Sequence, residues 1–302
     1  MNPATACAWL PLLTLPTVVV ILTPTQPRWV FMWLLAFAIY VGCKWLTWRT
    51  TPARGTSLAK QFGYLLAWPG LDAPAFFHTP SVGVRPLSDW LFALAKLALG
   101  IAIVMGLFPL IPVDLELFRG WVGMIGVLFV LHFGVFHLLS LTWRAFGITA
   151  RPIMDWPMLA NSVRDFWGKR WNSAFRDLTH RYLFRPLTTH FGARTALLVG
   201  FIFSGLVHEL VVSVPAGGGY GGPTLFFLLQ AVGLLLERSA LGQRIGLANG
   251  IRGWAFTMLM LLGPVGLLFH RPFVCGVVVP FLDWINVNSG VSESIPWGRS
   301  LS

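Results

Sequence analysis

Eight stretches of this chain are almost wholly apolar: about 7–23, 29–47, 90–112, 120–143, 194–213, 223–237, 253–270 and 272–287. A helix needs roughly 20 such residues to cross the hydrocarbon of a bilayer. Runs of this length at this density leave few other folds open. Composition agrees: 56% of the 302 residues are hydrophobic and 11% are charged, against about 25% charged in a soluble domain. The expectation is an all-α, polytopic membrane protein. It has about eight transmembrane helices, of which the sixth and eighth are short, in a single membrane-embedded domain over 1–302.

The stretch 61–77, "QFGYLLAWPGLDAPAFF", is broken by two prolines and Asp72. It reads as interfacial or re-entrant, since broken backbone survives at membrane depth only under protein or beside a wet cavity. With 61–77 not crossing, the basic residues fall on one side. Arg49, Arg54, Lys60 and Arg85 share it with the 144–193 segment and with Arg238, Arg244 and Arg252. The positive-inside rule then puts both termini in the cytoplasm. The net charge of +11 is explained by these loops, and nucleic acid is excluded as a partner. The first apolar run has no basic segment before it and reads as a span rather than a cleaved signal. Cys7, Cys43 and Cys275 show neither disulfide nor metal-ligand spacing. The glycine-rich "GGGYGG" at 217–222 lacks the Lys-Ser/Thr of a phosphate loop and reads as a turn between spans.

Residues 144–193 form the longest polar segment, and structureless loops of such length are uncommon. Within it, Ser162 is suited to cap a helix, with Asp165 three positions on. At helical spacing Val163, Trp167, Trp171, Ala174 and Leu178 form one stripe. Asp165, Lys169, Asn172, Arg176 and His180 form another. Two readings stand. One is a surface helix with Trp167 and Trp171 at headgroup level, bound to anionic membrane lipids. The other is that the cations collect a phosphorylated ligand beside a reaction site.

His208 and Glu209 lie inside the apolar run "GFIFSGLVHELVVSVP". Ionisable groups within a span cost a few kcal/mol and tend to face the protein interior or a wet cavity. Ser204 is one turn before His208 on the same helix face, and Gly205 permits close approach of another helix or an acyl chain. A direct His208–Glu209 dyad does not suit helix geometry, so Glu209 is expected to pair with a cation such as Arg181 or Arg185. His132 and His137, five residues apart, do not share a helix face, and no metal site is built from them.

"LAWPGLDA" (66–73), "RDFWGKRWN" (164–172) and "FSGLVHEL" (203–210), taken together and in this order, resemble the membrane-bound O-acyltransferase superfamily (MBOAT), in its wax-synthase-like branch. The matches span roughly half the chain. The resemblance implies a multispanning enzyme that moves a fatty acyl group from acyl-CoA to a hydroxyl. It also implies an active-site pair that maps onto Asn172 and His208. An imidazole is suited to take the hydroxyl proton, and an amide such as Asn172 can donate to the oxyanion. Lys169, Arg170 and Arg176 are placed to receive the phosphates of CoA, with Trp171 and Ser204 as further substrate contacts. No permanently bound cofactor is expected; acyl-CoA is a co-substrate and a lipophilic alcohol the acceptor. A sugar, glycerolipid or cell-envelope acceptor is the alternative. A non-catalytic transporter or scaffold is a third reading. Asp72 reads as a turn or cap residue, and His180 as solvated. Chain length, acceptor, oligomeric state and the particular membrane are not readable.

Overall fold

The computed structural model describes residues 3–23, 25–53, 55–78 and 86–290, so Arg54 and Arg85 lie outside the described residues. All regular structure among the described residues is helical. Helix α1 (Pro3–Leu22) and α2 (Arg28–Arg49) pack as a hairpin. Two short helices follow, α3 (Leu58–Ala67) and α4 (Ala73–His78). The long α5 (Leu87–Leu110) and α6 (Val113–Ala145) come next. After an extended stretch, α7 (Val163–Asp165) runs into a π turn at Phe166–Arg170. Helix α8 (Ser173–Ala216) carries π turns at His180–Phe184 and Glu209–Ser213. Then come α9 (Gly222–Arg238), α10 (Ala240–Ile245) and α11 (Gly250–Leu268). The last, α12, runs from Arg271–Phe273 through a π turn at Val274–Val278 into Val279–Asn288.

All eight apolar stretches fall on helix. Five helices, α2, α5, α6, α8 and α11, are long and apolar enough to cross a bilayer; the apolar part of α1, Cys7–Leu22, is shorter. The protein is an integral, multi-pass membrane protein. Helix α9, at 17 residues, is the shortened sixth stretch.

The polar segment is not one helix. Trp171 is extended (φ −104°, ψ 125°) and Asn172 left-handed (φ 43°, ψ 62°), which separates α7 from α8. A second break, at Gly192 (φ 78°, ψ 164°), divides α8. It falls two residues before the sequence-derived start of the span at 194. Only a glycine adopts that positive φ without strain. The residues around it, 189–195, are all exposed.

The stretch 61–77 is broken as the sequence predicts, and neighbouring helices cover the break. Asp72 Oδ1 caps α4 by accepting from the Ala75 N–H at 3.1 Å. Three carbonyls at the break find side-chain donors. Trp143 Nε1 reaches Ala67 at 2.9 Å, Tyr40 Oη reaches Trp68 at 3.0 Å, and the buried Lys44 Nζ reaches Gly70 at 2.5 Å. Lys44 also lies 3.5 Å from the centre of the Tyr64 ring. Unpaired carbonyls in such a setting cost several kcal/mol each in hydrocarbon. Side chains of α2 and α6 thus make the irregular backbone tolerable.

Candidate active site

The loop motif "RDFWGKRWN" folds locally as its sequence suggests at its start. Ser162 Oγ accepts from the Asp165 N–H at 2.9 Å. At the other end, the Asn172 side chain caps the next helix, Oδ1 accepting from the Phe175 N–H at 3.1 Å. Its left-handed backbone is the conformation Asn tolerates better than most residues. The backbone on either side is tied to the preceding stretch of chain. Asp155 N–H donates to Arg170 O at 2.8 Å, and Ser173 N–H donates to Ile153 O at 3.0 Å.

The aromatic residues of the loop have protein neighbours. Trp171 stacks on Phe166 at 5.4 Å, and both join Ala160, Met258 and Leu261 in one core cluster. Trp167 packs on Phe201 at 6.1 Å and Phe227 at 5.4 Å. Phe175 stacks on Phe203 at 6.3 Å, nearly parallel. Trp167 and Phe175, on either side of Asn172, thus both meet the part of α8 beyond the Gly192 break, a turn or two before His208. Phe203 to His208 is about 7.5 Å of helix rise. The segment is not one continuous amphipathic helix. The loop motif is inserted against the bundle because its aromatic residues find partners on α8, α9 and α11.

His208 sits at the end of an α-helical run, where α8 turns π at Glu209–Ser213. Its Nδ1 lies 2.7 Å from the Ser204 carbonyl oxygen. A carbonyl only accepts, so in the neutral ring Nδ1 carries the proton and Nε2 keeps its lone pair. The ring rests 4.6 Å from Phe227. Ser204 contributes its carbonyl; its hydroxyl donates to Gly200 O at 2.9 Å. Among the described residues no hydrogen bond joins Asn172 to His208.

Glu209 does not pair with Arg181 or Arg185. Its Oε1 accepts from the Gly221 N–H at 3.0 Å, the Thr224 N–H at 3.1 Å and the Thr224 hydroxyl at 3.0 Å, at the start of α9. Orphan helix-terminal N–H groups, at the positive end of the helix dipole, suit a carboxylate. Arg181 instead donates to Thr51 Oγ1 and Thr50 O, both at 3.3 Å.

Gly205 fits the role the sequence suggests, and its neighbour is a helix. A Cβ there would stand 2.7 Å from Thr224 Cα, which is backbone and cannot swing aside. Gly205→Val is expected to push α8 from α9 and lower stability by about 1–3 kcal/mol. A thermal-unfolding scan of the detergent-solubilised protein reads this; an unchanged midpoint would show that the helices do not touch there.

The cations divide. Arg170 pairs with Asp165 and donates to Trp156 O at 3.1 Å. Arg176 pairs with Asp177 and donates to Gly168 O at 2.8 Å. Both brace the loop, while Lys169 is exposed. His180 is exposed and stacks on Phe184 at 5.6 Å. In the other spans, His137 Nδ1 lies 2.8 Å from Lys96 Nζ.

Sequence reasoning missed three residues around this site and one at the break in 61–77. Phe227, Gln230 and Glu237 all lie on α9, and Lys44 holds the break at 68–72. Trp167 Nε1 approaches Gln230 Oε1 at 3.4 Å, and Gln230 Nε2 donates to Met260 O at 2.7 Å. The buried Glu237 accepts from the Val163 and Arg164 N–H groups at 2.8 and 3.1 Å. Glu237 and Lys44 carried a signal: each is an ionisable residue at or in an apolar run.

The fold and site together define a multi-pass helical membrane protein with an imidazole inside a span and an inserted polar loop. Residues 150–229 match the family model described as "Membrane bound O-acyl transferase family", a segment that includes both Asn172 and His208. Residues of this chain are 30% identical over 143 positions to a "Probable long-chain-alcohol O-fatty-acyltransferase 9" of Arabidopsis thaliana, covering 43% of this chain and 42% of that protein. They are 29% identical over 167 positions to a "Long-chain-alcohol O-fatty-acyltransferase" of Simmondsia chinensis, covering 48% and 46%. They are 32% identical over 136 positions to "Acetyltransferase eriL" of Hericium erinaceus, covering 34% and 33%. The matched segments thus span less than half the length of these relatives. The wax-synthase-like resemblance read from the motifs has support here: the segment that holds the second and third motifs is similar to the membrane-bound O-acyltransferases, long-chain-alcohol acyltransferases among them.

Proposed function

We propose that this protein is an acyl-CoA-dependent O-acyltransferase that moves a fatty acyl group to the hydroxyl of a lipophilic alcohol. The observation that carries the reading is the His208 Nδ1–Ser204 O bond, which leaves Nε2 as the basic nitrogen inside a span. His208 is the general base. Nε2 takes the hydroxyl proton as the alcohol oxygen attacks the thioester carbonyl carbon. The tetrahedral oxyanion accepts from Asn172 Nδ2, since Oδ1 is committed to its cap. Collapse breaks the carbon–sulfur bond, and the departing CoA thiolate takes the proton from the imidazolium. The products are an ester and CoA thiol, and no enzyme nucleophile is needed. A developing charge held by a fixed donor in an apolar surround is stabilised more than in water.

The binding roles are parts of the same proposal. Lys169, exposed beside Asn172, receives CoA phosphate. Arg170 and Arg176 add field from positions held by their own carboxylates, and Trp171 and Ser204 line the approach. Membrane lipids surround the apolar helices and supply the acceptor. The similarity to long-chain-alcohol O-fatty-acyltransferases supports the acceptor class.

A second reading has its own support in the similarity to an acetyltransferase: the donor is short and the acceptor differs. Membranes holding the protein, given labelled acyl-CoAs of graded length and a panel of acceptors, separate the two. The fatty-acyl reading expects ester only with long donors and long-chain alcohols. Exclusive acetyl transfer to a glycan or a small alcohol would remove it.

A further inference from the structure

Helix α9 meets both sequence motifs, and a carboxylate sits at each joint. At its start, Glu209, the residue after His208, accepts from Gly221 and Thr224. At its end, Glu237 reaches across to the loop motif and accepts from the Val163 and Arg164 N–H groups, one oxygen for each. Between the joints, Phe227 touches the His208 ring at 4.6 Å and the Trp167 ring at 5.4 Å. Gln230 lies near Trp167 and is anchored to α11 through Met260 O.

The placement of Glu237 is costly unless it serves a purpose. It is 3% exposed, and burying a carboxylate carries a desolvation penalty that only strong hydrogen bonds offset. The loop motif already has its own cap in Ser162. Ser162 serves only the Asp165 N–H, and Glu237 takes the Val163 and Arg164 N–H groups that are otherwise orphan donors of that turn. Because its acceptor comes from α9 and not from the loop itself, this second cap also ties the loop motif to the helix that contacts His208.

We infer that Glu237 is a positioning residue, which sets the loop motif, and Asn172 with it, against His208 by bonding the Val163 and Arg164 backbone. This rests on the acyl-transfer reading above. Catalytic rates are sensitive to such placement, an error of about 1 Å costing on the order of 10²-fold. Glu237 itself stays away from the reacting atoms.

Glu237→Ala and Glu237→Gln separate positioning from general stability. Ala removes both acceptors, whereas Gln keeps one oxygen for a single N–H. Activity is read per folded protein. Geometry is read by the distance between spin labels at Arg164→Cys, on the motif, and Tyr220→Cys, beside the start of α9, after replacing Cys7, Cys43 and Cys275. The expected result is a kcat lower by about 10²-fold in Glu237→Ala, with a smaller rise in KM for acyl-CoA, since Lys169 lies on the same motif. The label distance broadens in that variant, and both effects are partly restored by Gln. An unchanged distance distribution overturns the inference, whatever the activity. So does a kcat loss that Gln restores no better than Ala. Should the unmodified protein transfer no acyl group, the acyl-transfer reading fails while the distance measurement still decides the joint.

Discussion

His208→Ala is expected to accumulate in membranes at the unmodified level and to lose ester formation. The expected loss is about 10²- to 10⁴-fold, the range a positioned general base contributes. The ring makes one hydrogen bond, to a carbonyl of its own helix, so its removal breaks no hydrogen bond between helices. The substitution does strip the imidazole from the Phe227 ring, and the cavity left behind costs stability of a few kcal/mol at most. Initial rates at equal protein, with a melting curve beside them, divide the two effects. His208→Gln sharpens the test, because it restores polar bulk without a base of comparable pKa. Near-normal turnover in either variant would end the base assignment.

Asn172 carries three roles that different substitutions pull apart. Its backbone holds a left-handed turn, its Oδ1 caps α8, and its Nδ2 is the proposed oxyanion donor. Asn172→Asp keeps the first two and removes the donor. A kcat lower by about 10²- to 10³-fold with a near-normal melting temperature is expected, the cost of losing one oxyanion-hole donor. Asn172→Ala adds the loss of the cap, about 1 kcal/mol, and about 1–2 kcal/mol for the left-handed residue. It should therefore also melt earlier. An Asp variant with unmodified kcat would leave Asn172 as a turn and cap residue only.

Much of this architecture was legible because membrane helices announce themselves by length and apolarity. The Asp72 and Ser162 caps follow from local rules that need no tertiary partner. The Gly192 break was not read, since glycine alone does not mark a break: Gly200 and Gly205 of the same stretch are helical. The buried face of the loop motif was not legible. An aromatic stripe of Trp167 and Trp171 satisfies a headgroup belt and a protein core equally well. Only Phe201, Phe227 and Met258, distant in sequence, decide between them. The partner of Glu209 was missed for a related reason. A carboxylate near cations suggests an ion pair, yet the start of α9 lies a dozen residues on and offers three donors to one oxygen. Glu237 was visible as an acid at the end of an apolar run, but its partner is a backbone turn 74 residues earlier. Spacing along the chain carries no trace of that pairing.

The measurement that tests the central claim most directly follows the label itself. The unmodified protein, purified and reconstituted in liposomes, is given acyl-labelled palmitoyl-CoA with and without hexadecanol, and lipid products and free CoA thiol are quantified together. The account predicts labelled ester that requires the alcohol, with one thiol released for each ester formed. Label that remains on CoA, or that passes to free fatty acid at the same rate with or without alcohol, would contradict it.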